Sequence, residues 1–424
     1  MRTLIFCFTA ILCSSAESAD RFLIRAATIH TVSGTSFTPG EVLISNGRIV
    51  AVGQAITTAD SALLIDLKSL QLYPGLIAAN TSLGLTEISG VRATQDTTEV
   101  GNFSPDVHSW IAVNPDSELI PVARAGGITH VQVTPQGGTI SGQSGVIALT
   151  GWSIEDMIVR KGVALHINWP EMGLQLGAKS KSPEEQVKDR EKKLRELDEF
   201  FNEADAYAKA INSGATSLSK HPVWDSMLPV ITRKQTIVVQ ADDLRQIKAA
   251  VAWAKRRNYS IIIAGAKDAW RVADLLAKEK IPVIYDGTYL LPSLENDSYD
   301  AQFKAPATLH RANVPLTLSF PIGSWSAANL RNLPHLAAQA TAHGLPQNES
   351  LRSITLNPAK LMGVDDRLGS IEIGKEATFI AVDGDLLDIR TNVKRMWIAG
   401  NETSLESRHT RLYDRYKNRP IKKP

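Results

Sequence analysis

Between residues 21 and 52 apolar and polar side chains alternate, with turns at Gly34, Gly40 and Asn46-Gly47. A period of two marks half-buried strands, and an Asn-Gly pair between two such runs is a hairpin signal. From residue 73 the pattern changes. Short runs rich in Val, Ile and Leu recur at 73–79, 128–134, 163–168, 236–241, 260–265, 282–286 and 315–320, separated by stretches of helical period. Strands alternating with helices imply a parallel sheet. Ser182-Pro183-Glu184-Glu185 combines a capping box with proline at the first helical position and so starts a long charged helix. Val187, Leu194, Leu197 and Phe201 form its apolar stripe, and the rest of its surface is expected to face water. Residues 242–256 and 267–278 read as further helices, with Asp242 or Asp243 placed to cap the first.

Composition adds size and compartment. In 424 residues, 43% of them hydrophobic, there is room for one α/β barrel of ~250 residues and a smaller second domain. A net charge of +2 argues against a dedicated nucleic-acid or membrane-surface binder. Arg2, the apolar run 4–13 and the small residues Ser14, Ser15 and Ala16 follow the order of a signal peptide. Residues 1–19 therefore read as a targeting segment, cut after Ala16 or Ala19, and the expected location is periplasmic or secreted. No later stretch approaches the ~20 apolar residues of a membrane span. Cys7 and Cys13, the only cysteines, fall inside that segment, which leaves the mature chain no disulfide and no thiolate ligand. Arg408, Arg411, Arg415, Lys417, Arg419, Lys422 and Lys423 make a basic tail at 406–424, read as a solvated helix and chain end.

Residues 72–83, LYPGLIAANTSL, are the most informative local stretch. They resemble the first barrel strand of the amidohydrolase superfamily, where Pro-Gly-hydrophobic-hydrophobic-Asp-x-His-x-His gives two imidazoles to a catalytic metal. Residues 353–401 are similar to that family's last barrel helix and flanking sandwich strands. Asn357-Pro358-Ala359, Leu368-Gly369-Ser370-Ile371-Glu372, Gly374-Lys375 and Asp383-Gly384-Asp385 stand at its spacing. Residues 125–135, AGGITHVQVTP, resemble the second strand of its imidazolonepropionase-like branch. The resemblance implies an α/β fold: a TIM-like (β/α)8 barrel over 68–369, with a small composite β-sandwich formed by N- and C-terminal segments 20–67 and 370–405. Seven barrel strands are legible, and the eighth is expected near 215–218 unless the barrel is irregular. The resemblance also implies zinc or another divalent metal, and hydrolysis of carbon–nitrogen bonds other than peptide bonds.

The ligands for that metal are missing. Laid on the motif, Ala78 stands for the Asp, and Asn80 and Ser82 stand for the two His. Gln240-Ala241 occupies the place of a family His-Ala, Ala264-Gly265 that of His-Gly, and Ser319-Phe320 that of Thr-Asp. Asn and Ser offer weak neutral oxygens where zinc takes imidazole nitrogen. No histidine lies between His30 and His108 or between His221 and His310, and no Asp or Glu between Asp300 and Glu349. A shifted alignment therefore supplies no substitute. Of the nine histidines, His130 and His166 fall within strands, facing either the barrel interior or the surrounding helices, and His221, before Pro222 in a loop, falls where it can reach the strand ends. No metal or other cofactor is expected.

The strand ends are nonetheless polar. Asp242 and Asp286 are candidate general bases for metal-free hydrolysis, given surroundings that raise their pKa. Asn80, Ser82 and Gln240 are candidate ligand contacts. Residues 135–145, PQGGTISGQSG, form a Gly- and hydroxyl-rich loop. There Gly137, Gly138 and Ser141 could build an anion-binding concavity, or a packed loop that uses glycine for positive φ. Arg331 could hold a carboxylate through two bonds or make an ordinary salt bridge. Three functions fit this chain. The first is a ligand-binding, non-catalytic homologue with a small-molecule partner. The second is an active hydrolase of cyclic amides or similar bonds with an atypical site. The third is a structural partner of an active paralogue, in a homo- or hetero-oligomer. Neither nucleic acid nor membrane is an expected partner.

Overall fold

Pro74-Gly75 is where the chain passes from one sheet system to another. Gln71–Pro74 pairs with Phe379–Val382 and Thr28–Ile29, whereas Leu76–Thr81 begins a separate eight-stranded sheet. The run 73–79 is therefore parts of two strands, divided by a glycine whose Cβ would clash with the Thr129 side chain. The fold is that of a computed structural model describing residues 21–57, 62–175, 177, 180–214 and 219–420. The targeting segment 1–19 and the suggested strand near 215–218 lie outside the described residues.

The barrel strands are β1 (Leu76–Thr81), β2 (Ile128–Val133), β3 (Ile140–Ala148), β4 (Ile158–Asn168), β5 (Thr236–Ala241), β6 (Ile261–Gly265), β7 (Val283–Tyr285) and β8 (Leu316–Leu318). They neighbour one another in that order. Every ladder is parallel except those of β3 with β2 and β4, which are antiparallel. The barrel is irregular, and its extra strand comes from residues the sequence assigns to a Gly-rich loop. Small side chains carry no strand signature, yet all of β3 is buried. Gly142 and Gly145 are needed there because a Cβ would meet the Val107 carbonyl at 2.6 Å and the Trp110 ring at 2.8 Å.

Alternation along the strands produces two apolar layers. Leu76, Val131, Leu165, Val239, Ile263, Val283 and Leu318 pack outward with the helices. Ile77, Ala79, Val146, Ala164, Val238, Ile262 and Ile284 form a second cluster inside the barrel with Met362, Val364 and Leu368. Those last residues close the N-terminal end of the strands, where Arg160 donates to the Met362 carbonyl and Arg367 to that of Val159.

Helix α1 (Pro183–Asn212) starts at the Ser182–Glu185 capping box and buries Leu197 and Phe201 of its stripe, with Val187 and Leu194 half-buried. Helix α2 (Leu244–Arg257) is capped by Asp243, which accepts the amides of Arg245 and Gln246. That leaves Asp242 free of the capping role. Residues 267–278 contain a 3-10 turn, Ala269–Val272, and a short helix, Ala273–Lys278. Among the described residues no helix is long and apolar enough to cross a membrane.

Segments from the N- and C-terminal parts of the chain build the sandwich. Arg48–Gly53, Gly40–Ser45, Arg21–Ala26 and Leu63–Asp66 form one sheet. Asn401–Glu402, Val393–Ile398, Phe379–Val382, Gln71–Pro74 and Thr28–Ile29 form the other. Ile24, Ile44, Leu72, Phe379 and Trp397 share the core between them. Asn46 and Gly47 have φ of +51° and +72°, as a tight primed hairpin turn requires.

Candidate ligand site at the barrel mouth

Continuing each inward row beyond the apolar layer leads to polar residues. These are Gln132 and Thr134 at the end of β2, Ser144 on β3, His166 and Asn168 on β4, and Gln240 on β5. Asp242, Asp286 and Ser319 lie just past β5, β7 and β8. Barrels of this kind place their chemistry at these C-terminal ends. Hydrogen bonds join the rows: Gln132 Oε1 accepts the Asn80 amide at 3.2 Å, Gln132 Nε2 donates to Ser144 Oγ at 3.0 Å, and Ser319 Oγ donates to the Ala79 carbonyl at 2.6 Å. Asn80 has φ +52°, a left-handed conformation that Asn tolerates, at a break in the β1–β2 register. Asn80 and Ser82 are 2% and 0% exposed, and Asn80 Nδ2 and Ser82 Oγ have no hydrogen-bond partner.

Asp242 and Asp286 come close enough to feel each other's charge. Asp286 is buried, and its carboxyl is pushed up to about 8, first by that burial and then by the charge of Asp242. Asp242 reaches solvent at the rim. The surrounding walls still raise its pKa, opposed by hydrogen bonds from Gln240 and the Lys267 amide. Gly265, at φ +81°, makes this convergence possible, since a Cβ there would clash with both the Asp242 carboxylate and the Gln240 amide. At neutral pH the buried carboxyl keeps its proton beside a partner that faces water.

His130 and His166 also lie on inward rows, and burial holds both at about 3, so both rings are neutral. His130 Nδ1 contacts Thr129 Oγ1 at 3.0 Å, whereas His166 Nε2 has no partner. His221 stands at the start of the helix Pro222–Ile231, beside Trp224.

These donors do not fit the catalytic divalent ion of the family. Where imidazoles and a carboxylate would be needed stand Asn80, Ser82, Gln240, Ala264 and Phe320. The orphaned atom of Asn80 is an amide nitrogen, which donates protons and does not ligate metal. Among the described residues no three His, Cys, Asp or Glu side chains converge.

The glycine turn is held from within the barrel. Asn168 Nδ2 donates to the carbonyls of Gly137 and Gly138, at 3.3 and 2.8 Å, and Ser141 Oγ donates to the Gly137 carbonyl at 2.7 Å. Gly138 also lines a cleft of about 590 Å³ over the end of β4, together with Asn102, Asn168, Trp169, Glu171, Arg190 and Lys193. Sequence reasoning singled out neither Asn168 nor this cleft; the available signal was the place of Asn168 at the end of an inward row. Arg331 is not brought to the mouth. It packs against Gly126, which precedes β2 at the opposite end of the barrel, so closely that a Cβ on that glycine would clash with the Arg331 backbone.

The model of the amidohydrolase family matches residues 134–405. The crystal structure of an amidohydrolase from Thermotoga maritima MSB8 is similar with a TM-score of 0.79 and 25% identity, over 90% of this chain and 99% of that one. Amidohydrolase tasK of Hapsidospora irregularis is 19% identical over 402 residues, 85% of this chain. An imidazolonepropionase of Shewanella baltica (strain OS185) is 31% identical over 94 residues, 22% of this chain. The match spans 39% of the length of tasK and 23% of that of the imidazolonepropionase.

Proposed function

This chain belongs to the amidohydrolase family, and we propose that it is an exported member that binds a small molecule at a mouth no longer built for metal-dependent hydrolysis. The observation that carries the reading is the donor set at the strand ends: Asn80, Ser82 and Gln240, with Ala264 and Phe320 offering no donor atom at the two remaining positions. Such donors do not hold an ion that would lower the pKa of a bound water toward neutrality. Export is supported by the charged, apolar and small-residue order of residues 1–19. Elemental analysis of protein purified without chelator, with a thermal-shift screen of small molecules, tests the binding reading. About one transition metal per chain, lost on chelation together with a hydrolytic activity, would sink it. Sequencing the exported protein tests the other half, with Glu17 or Asp20 expected as the first residue and a retained Met1 counting against it.

The two carboxylates favour a second reading, metal-free hydrolysis of a carbon–nitrogen bond. Asp242 would accept a proton from water as its oxygen bonds to the carbonyl carbon. Protonated Asp286 would then pass its proton to the nitrogen as the C–N bond breaks. Any hydrolysis that survives both Asp242→Asn and Asp286→Asn rules this pair out.

A further inference from the structure

Helix α1 is dense in charge, and several of its cations are matched. Lys181, just before the helix, pairs with Asp189 on it at 2.5 Å, and within it Lys192 pairs with Glu196 at 3.7 Å and Arg195 with Glu191 at 3.8 Å. Arg190 and Lys193, one turn apart, have no carboxylate within ion-pair distance among the described residues, and both line the 590 Å³ cleft. Arg190 is half-buried, and its guanidinium is oriented by one bond, from Nη1 to the Met172 carbonyl at 2.7 Å. A partly buried cation with no ion-pair partner costs desolvation free energy that an anion arriving in the cleft would offset.

Resting on the ligand-binding reading, we propose that the ligand is a carboxylate-bearing small molecule, held in this cleft by Arg190 and Lys193. The volume lies within the usual range for small-molecule sites. A planar guanidinium suits a carboxylate through two parallel bonds, and Lys193 adds a second charge at the solvent edge. The floor is rigid: the Trp169 amide donates to the Gln240 carbonyl at 3.0 Å, and the Trp169 carbonyl accepts from Gln246 Nε2 at 3.1 Å. Two acidic groups line the same cleft, Asp189, which is paired with Lys181, and Glu171, which accepts from Gln175 at 2.8 Å. Against Lys181, Arg190 and Lys193 they leave one net positive charge, so an N–H or ammonium near Glu171 belongs at the ligand's other end.

Calorimetric titration of the full mature chain with N-acetyl-L-glutamate and glycyl-L-glutamate, against the uncharged glutaramide, tests this. At least one carboxylate is expected to bind and the diamide not, with affinity falling as salt rises. Arg190→Gln and Lys193→Gln should each weaken binding by about tenfold. Lys193 is exposed, so its variant keeps the test valid if Arg190→Gln loosens the helix. Equal binding of the diamide, no binding of either carboxylate, or indifference to both substitutions overturns the cleft assignment. If a carboxylate binds and only Gln240→Ala abolishes binding, the cleft assignment fails while the broader ligand-binding reading stands.

Discussion

Ser319 donates its hydroxyl to the Ala79 carbonyl at 2.6 Å, across the seam between β8 and β1, the two end strands of the sheet order. The segment that in the family carries a metal-binding Asp here helps to close the barrel.

Ser319→Ala is expected to cost about 1–3 kcal/mol, because a carbonyl buried in the seam loses its donor. Urea denaturation at neutral pH measures it. A loss under about 0.5 kcal/mol would mean that other contacts hold the seam.

Asp286 makes stability fall with rising pH. Its folded pKa of about 8 lies above the ordinary 3.8, so between those values the native chain holds a proton that the unfolded chain has released. The stability this group contributes is full below about pH 4 and is lost as pH climbs through about 8. Asp286→Asn keeps the shape of the neutral acid without the titration. Its stability relative to the parent should grow by roughly 1 kcal/mol per pH unit between about pH 5 and 7. A difference that stays flat across that range would show Asp286 to be ionised in the native state.

His166 acts in the opposite direction. Its folded pKa of about 3 lies below the ordinary 6.5, so in that window the unfolded chain binds a proton that the native chain refuses. Stability from this group is complete above about pH 6.5 and is lost as pH falls toward 3. His166→Gln should shrink the stability difference between about pH 7 and 5 by about 1–2 kcal/mol, read from denaturation midpoints. An unchanged difference would place a solvated, protonatable imidazole at this position.

Seven barrel strands were legible because Val, Ile and Leu runs such as 236–241 announce themselves locally. The eighth was not, because β3 begins Ile140-Ser141-Gly142-Gln143-Ser144-Gly145, whose small residues are required by a segment some 35 residues earlier that packs on it. Asp243 as a cap follows from one Asp before a helical run, and the meeting of Asp242 with Asp286 follows from both lying at strand ends. The cleft could not be read this way. In sequence Arg190 and Lys193 look like any cations of a solvated helix; only the fold shows which have partners and which face a cavity. Arg331 failed for the converse reason, since its place after β8 does not reveal that its helix turns back toward the N-terminal end of the barrel.

Asn80→His with Ser82→His restores the two imidazoles of the family motif, and the pair is still expected to bind no stoichiometric zinc and to gain no amidase activity. A zinc site needs three or four converging ligands. The positions that would complete it hold Gln240, Ala264 and Phe320, and Asp286 keeps its proton at neutral pH. Imidazoles also exceed the space: both sites are almost wholly buried, so the variant should lose about 1–3 kcal/mol from overpacking. Metal analysis after gel filtration and a denaturation curve measure the two effects separately. Retention of about one zinc per chain would show that His166 or a carboxylate already stands within reach as a third ligand, and that the mouth lies closer to a metal centre than its present donors imply.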